Sequence, residues 1–129
     1  MSEKTILVAV TDIFFYTKVR DALMAKGYKI ERARTQEDIA EKALATNPSA
    51  FIVDMNDDRL NAFQALETLK ADARMKALPI LAFANHEEVD IFHRARTLGV
   101  NKIVSRNEFS SRLKDLVEEI VATGVRGKE

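Results

Sequence analysis

Asp54 closes the apolar run Ala50-Phe51-Ile52-Val53, which places a lone carboxylate at the end of a segment that reads as a buried strand. A carboxylate in that position can cap the turn that follows, or hold a hard cation if other oxygens converge on it. The groups that could join it are Asp12, Asn56, the loop acids Asp57 and Asp58, and Arg106. Asp12 follows the run Ile6-Leu7-Val8-Ala9-Val10 and fits the cap of a helix that begins after it. Adjacent loop acids such as Asp57 and Asp58 are usually solvated. Arg106 follows Lys102-Ile103-Val104-Ser105 and carries a permanent positive charge, suited to pairing with Asp54. His86 and His93 read as two solvated histidines of one helix, because no cysteine or carboxylate framework surrounds them.

The elements that must position these groups alternate along the chain. Apolar runs at residues 6–10, 50–53, 79–83 and 102–104, with a weaker one at 29–33, predict five strands. Between and after them, apolar residues recur at helical spacing: Phe15, Val19 and Leu23; Ile39, Ala43 and Leu44; Phe63, Leu66 and Leu69; Val89, Phe92 and Ala95; then Phe109, Leu113 and Leu116. Thr35 with Asp38 resembles a capping box, and Gly27, Asn47-Pro48, Gly99 and Gly124 are the expected helix stops. Strict alternation predicts an α/β fold: a flavodoxin-like (βα)5, doubly wound, parallel five-stranded sheet in three α/β/α layers. In such a sheet ligands sit outside the carboxyl ends of the strands, which is where Thr11, Asp12, Asp54, Asn56, Ala84, Asn85, Ser105 and Arg106 fall.

The chain of 129 residues suits a single domain, with a core at about residues 4–122 and a frayed tail at 125–129. Lys+Arg and Asp+Glu both number 20, so no general attraction to nucleic acid or anionic membrane is expected. Absent cysteine excludes disulfides and thiolate metal sites, and the first apolar run is too short to span a membrane. A cytoplasmic location is expected. A flavin- or nucleotide-binding role is not favoured, because Val10-Thr11-Asp12-Ile13 has neither glycines nor a hydroxyl-rich phosphate cradle.

The aspartate at the end of the third strand, the stretch Leu69-Lys70-Ala71-Asp72-Ala73-Arg74-Met75-Lys76-Ala77-Leu78-Pro79, and Arg94-Ala95-Arg96-Thr97-Leu98-Gly99-Val100 resemble the receiver domain of two-component response regulators. The resemblance covers about residues 4–122 and implies a CheY-like domain in signal transduction. It makes Asp54 the candidate phosphoacceptor in a phosphorelay. It also implies Mg²⁺ held by Asp54, by acids at the end of the first strand, and by the carbonyl of Asn56. Those strand-end acids fall on Val10 and Thr11, with Asp12 one place beyond, so Asp12, Asp54 and Asn56 make only a low-affinity Mg²⁺ set. The family's hydroxyl after strand 4 falls on Ala84, its lysine on Arg106, the next proline on Asn107 and its aromatic switch on Ile103.

Phosphoryl transfer depends on positioning and on neutralising the charge that spreads over the phosphoryl oxygens. Losing several of these groups points to a pseudo-receiver: a stand-alone module that acts by protein–protein binding, with no enzymatic activity beyond at most phosphorylation and dephosphorylation at Asp54. The resemblance implies a signalling partner, a histidine kinase or downstream effector, or a second copy of the chain. The implied interaction face includes Arg94, Arg96, Lys102 and Ile103. The alternative is a working receiver phosphorylated at Asp54 by a histidine kinase with Mg²⁺. Ile13 and Phe14, apolar residues beside the expected pocket, are expected either to plug the cation site or to face a partner.

Overall fold

The computed structural model describes residues 4–127, with side chains placed as far as residue 122. Five strands, β1 (Thr5–Ala9), β2 (Lys29–Arg32), β3 (Ala50–Asp54), β4 (Ile80–Ala84) and β5 (Lys102–Ser105), form one parallel sheet in the order β2-β1-β3-β4-β5. Five helices alternate with them: α1 (Ile13–Met24), α2 (Gln36–Thr46), α3 (Ala62–Ala71), α4 (Val89–Thr97) and α5 (Arg106–Gly127). Strand order reverses between β1 and β3, so the crevice of this doubly wound sheet opens at the ends of those two strands.

Side-chain alternation along the strands divides the apolar residues between two layers. Leu7, Ala9, Phe51, Val53, Ile80, Ala82 and Ala84 pack with Ile39 of α2, Leu66 and Leu69 of α3, and Ala95 of α4. Ile6, Val8, Val10, Ile52, Leu81, Phe83 and Val104 pack with Val19 and Leu23 of α1, and with Phe109, Leu116 and Val117 of α5. The central strands β3 and β4 are buried along their whole length, which explains why they read as unbroken apolar runs. β2 lies at an edge of the sheet and is only half-buried, hence its weak alternation.

Local chemistry sets the helix boundaries. The Asp12 carboxylate accepts the N–H groups of Phe14 and Phe15, so it is the cap of α1. Thr35 caps α2 through the N–H of Asp38, and Asp38 accepts the N–H of Arg34 in return. Asn47 ends α2 at φ 47°. Two expected boundaries differ. His86 precedes α4, so the two histidines do not share a helix, although both are exposed. The α5 backbone continues through the expected stop at Gly124 to Gly127, bending at Arg112 (φ −124°, ψ 22°). Residues 128–129 of the expected tail lie outside the described residues.

Gly99 turns the chain after α4 at φ 89°, in the left-handed region where a Cβ is penalised. Gly99→Ala is expected to cost about 1–2 kcal/mol. Urea denaturation should show this as a lower midpoint with an unchanged slope.

Candidate functional site

Asp54 is the last residue of β3 and the one buried charged residue among the described residues, at 5% exposure. Parallel register pairs it with Phe83 of β4, and Ala9 with Val53, so Val10 stands level with Asp54 on the neighbouring strand. Val10 is fully buried in the layer with α1 and α5. Alternation from Ile52 turns Asp54 toward that same layer. The strand-end position that would carry a second carboxylate therefore presents an apolar side chain.

The Asp54 carboxylate meets two protein donors. Oδ1 accepts the N–H of Asn56 at 2.9 Å, and Oδ2 faces Arg106 Nη1 at 3.4 Å. The second contact is long for a charge-assisted bond, which is usually 2.7–2.9 Å. That weakness shows in the protonation balance. Burial pushes the Asp54 carboxyl above its ordinary value, while the Asn56 N–H and the Arg106 charge pull it back and Asp57 pushes it up again. The net direction is upward, so desolvation outweighs pairing.

Arg106 opens α5 and is held from below by aromatic rings. Its guanidinium carbon lies 4.2 Å from the centroid of Phe15 and 5.7 Å from that of Phe83. Phe83 stacks on Phe109 at 4.2 Å, and Phe15 leans on both at 5.4 and 5.8 Å. Planar, delocalised charge suits this seat better than a lysine ammonium would. Phe15 is therefore more than a member of the α1 core stripe: it is the platform that aims Arg106 at Asp54.

The loop acid Asp57 is not solvated as its neighbours in sequence suggested. Its Oδ2 accepts the N–H of Thr11 at 2.7 Å, and its Oδ1 accepts the Thr11 hydroxyl at 2.9 Å and the Arg59 N–H at 3.0 Å. The loop after β3 is thus tied to the loop after β1. A second tie runs from the Asn85 N–H to Asn56 Oδ1 at 2.7 Å, joining the loops after β3 and β4. The sequence placed Thr11, Asn56 and Asn85 at the carboxyl ends of their strands, but no spacing rule links Thr11 to Asp57 or Asn56 to Asn85, so it gave no signal for either pairing. Ala84 ends β4 buried among apolar residues and brings no hydroxyl to the site. Its register partner Ser105 has a hydroxyl, but that oxygen accepts the Glu108 N–H at the start of α5.

Of the expected Mg²⁺ set, Asp54 and Asn56 come together, while the Asp12 carboxylate is engaged as the α1 cap. Among the described residues no group of three or more His, Cys, Asp or Glu side chains is placed to hold a metal ion. A cation favouring six oxygens with one or two free carboxylates finds its neighbouring donors occupied or apolar here. The residues present do not fit the Mg²⁺ that the family resemblance implies.

Ile13 and Phe14 do not plug this site: Phe14 is 83% exposed and Ile13 49%. On the expected interaction face, Arg94 lies 4.0 Å over the Phe63 ring and 3.9 Å from Glu67. Lys102 sits 3.7 Å from Glu119, and Arg96 lies 5.8 Å from the Phe92 ring. Ile103 is buried beneath this face rather than on it. A groove of about 290 Å³ runs between α1 and α5, lined by Phe15, Val19, Phe109 and Leu113 among others. It lies behind the Arg106 platform, and Asp54 is not part of its lining. No helix among the described residues is long and apolar enough to cross a membrane.

No protein-family profile matches this sequence, and no curated protein resembles it closely enough to register. Solved structures do. A CheY-like response regulator receiver domain protein from Methanospirillum hungatei superimposes with a TM-score of 0.86 at 14% identity, covering 98% of this chain and 99% of that one. A signal receiver domain from Bermanella marisrubri gives 0.83 at 19% identity, covering 93% and 99%. The chemotaxis response regulator CheY4 of Vibrio cholerae gives 0.81 at 17% identity, covering 92% and 99%. The chain has the CheY-like receiver fold over nearly its whole length.

Proposed function

We propose that this chain is a receiver-type signalling module of the cytoplasm that acts by binding another signalling protein and does not depend on phosphorylation at Asp54. The observation that carries this reading is the seat of Arg106, stacked on Phe15 and directed at a buried Asp54. The guanidinium stands over the carboxylate that would have to attack a phosphodonor. Val10 and Ala84 place apolar groups where the transferring phosphoryl group would need a cation and a hydroxyl donor. Each missing transition-state contact of this kind costs on the order of 10²–10³ in rate. The module's output then runs through its surface. The α4–β5–α5 face, with Arg94, Arg96 and Lys102, suits a partner bearing acidic groups, such as a histidine kinase, a downstream effector or a second copy of the chain.

One observation favours the competing reading, phosphoryl acceptance with Mg²⁺: Asp54 ends β3 at the switch point of the sheet with a cation beside it. Incubation with a small-molecule phosphodonor and Mg²⁺, followed at once by intact mass measurement, separates the two. The expected spectrum shows unmodified protein. An added phosphoryl mass that is absent from Asp54→Ala would overturn the binding-module reading.

A further inference from the structure

We infer that Asp57 is a positioning residue which, by clamping Thr11, holds the loops after β1 and β3 together in place of a divalent cation and so keeps the site assembled without metal. Of the acids along this edge, Asp58 is exposed, whereas Asp12, Asp54 and Asp57 each accept bonds from protein donors. Asp12 accepts the Phe14 and Phe15 amides, and Asp54 accepts the Asn56 amide and faces Arg106. Asp57 accepts three bonds, two of them from Thr11. A cation using Asp57 would have to displace the Thr11 amide and hydroxyl, and it would meet the buried methyls of Val10 next to Asp54.

The clamp reaches the site through a short chain of contacts. Asp57 fixes Thr11, and the next residue, Asp12, caps α1 through the amides of Phe14 and Phe15. Phe15 in turn seats Arg106 against Asp54. A loop tie near Thr11 therefore sets the position of a guanidinium that Asp57 does not itself hydrogen-bond. This inference is read without a phosphodonor, from the Thr11 amide and from metal binding, so its failure is distinguishable from that of the partner-binding reading, which is read from an Asp54 adduct.

Hydrogen exchange and NMR test it on the full chain. In chelator, the wild-type Thr11 amide should exchange about tenfold or more slowly than in Asp57→Ala, which removes both acceptor oxygens, the factor expected for a lost hydrogen bond to a charged group. Amides of Ile52 and Leu81 should report a retained fold in the variant. Thr11→Val keeps the amide donor and removes only the hydroxyl, so its position-11 amide should stay protected relative to Asp57→Ala. Adding millimolar Mg²⁺ should leave wild-type Thr11 exchange unchanged, and Mn²⁺ should broaden no resonances selectively around Thr11, Asp54 and Asp57. Selective Mn²⁺ broadening there, slower Thr11 exchange in Mg²⁺, or equal Thr11 exchange in wild type and Asp57→Ala would each overturn the inference. If Asp57→Ala does not fold, the wild-type Mn²⁺ and Mg²⁺ measurements still decide it.

Discussion

Phe83→Ala is expected to lower stability by about 3–5 kcal/mol, enough to consume a large part of a small domain's total. Phe83 is fully buried near the carboxyl end of β4 and stacks on Phe109. Truncation loses the transfer free energy of the ring and leaves a cavity beneath Phe15 and Phe109, which are held by their own helices and can close on it only in part. Chemical denaturation should show the loss directly. A Phe83→Leu variant, which refills most of the volume, should recover much of the stability. It should also leave Arg106 less firmly seated, since the guanidinium lies near the Phe83 ring as well as over Phe15.

Arg106→Ala is expected to cost about 1–3 kcal/mol at neutral pH, because it leaves a desolvated carboxylate with the Asn56 N–H as its remaining donor of the two. Charge pairing supplies only the lower part of that range, because Arg106 is about one-third exposed and its contact with Asp54 is long. Asp54→Asn acts in the opposite direction. It removes the buried charge while keeping an oxygen for the Asn56 N–H, and should stabilise the domain on the order of 1 kcal/mol at neutral pH. In the double variant the cost of losing Arg106 should largely vanish, a coupling that a double-mutant cycle reads directly.

The pH dependence has a definite sign. Burial raises the Asp54 carboxyl above its unfolded value, so the folded state binds the proton more tightly than the unfolded chain does. The contribution of this group to stability is therefore fully present below the unfolded value and is lost as pH rises through the folded one. Wild type minus Asp54→Asn, followed by denaturation from acid to neutral pH, should give a stability difference that opens as pH rises. A difference that instead moved in favour of wild type as pH rises would mean that Arg106 pairing outweighs burial.

Much of this architecture was legible along the chain. β1, β3 and β4 are buried on both faces, so their runs carry almost nothing but apolar residues. The caps at Asp12 and Thr35 are local bonds spanning two or three residues, and local rules find such bonds. The stop at Gly124 failed for a related reason. A glycine only weakens a helix, by roughly 1 kcal/mol against alanine, and does not compel an end as Asn47-Pro48 does for α2.

The candidate site divides along the same line. Sequence alone showed that Asp54 ends the third strand, and the resemblance to receiver domains placed Val10, Thr11 and Ala84 where that family carries helpers and Arg106 where it carries a lysine. Tertiary structure decided what those residues do. The aromatic seat of Arg106 joins α1, β4 and α5, and the Asp57 clamp joins residues 46 positions apart. Contacts of that range arise only when the sheet stacks its strand ends side by side. No residue spacing encodes them, and they are what turn a lone carboxylate into one held by its own chain.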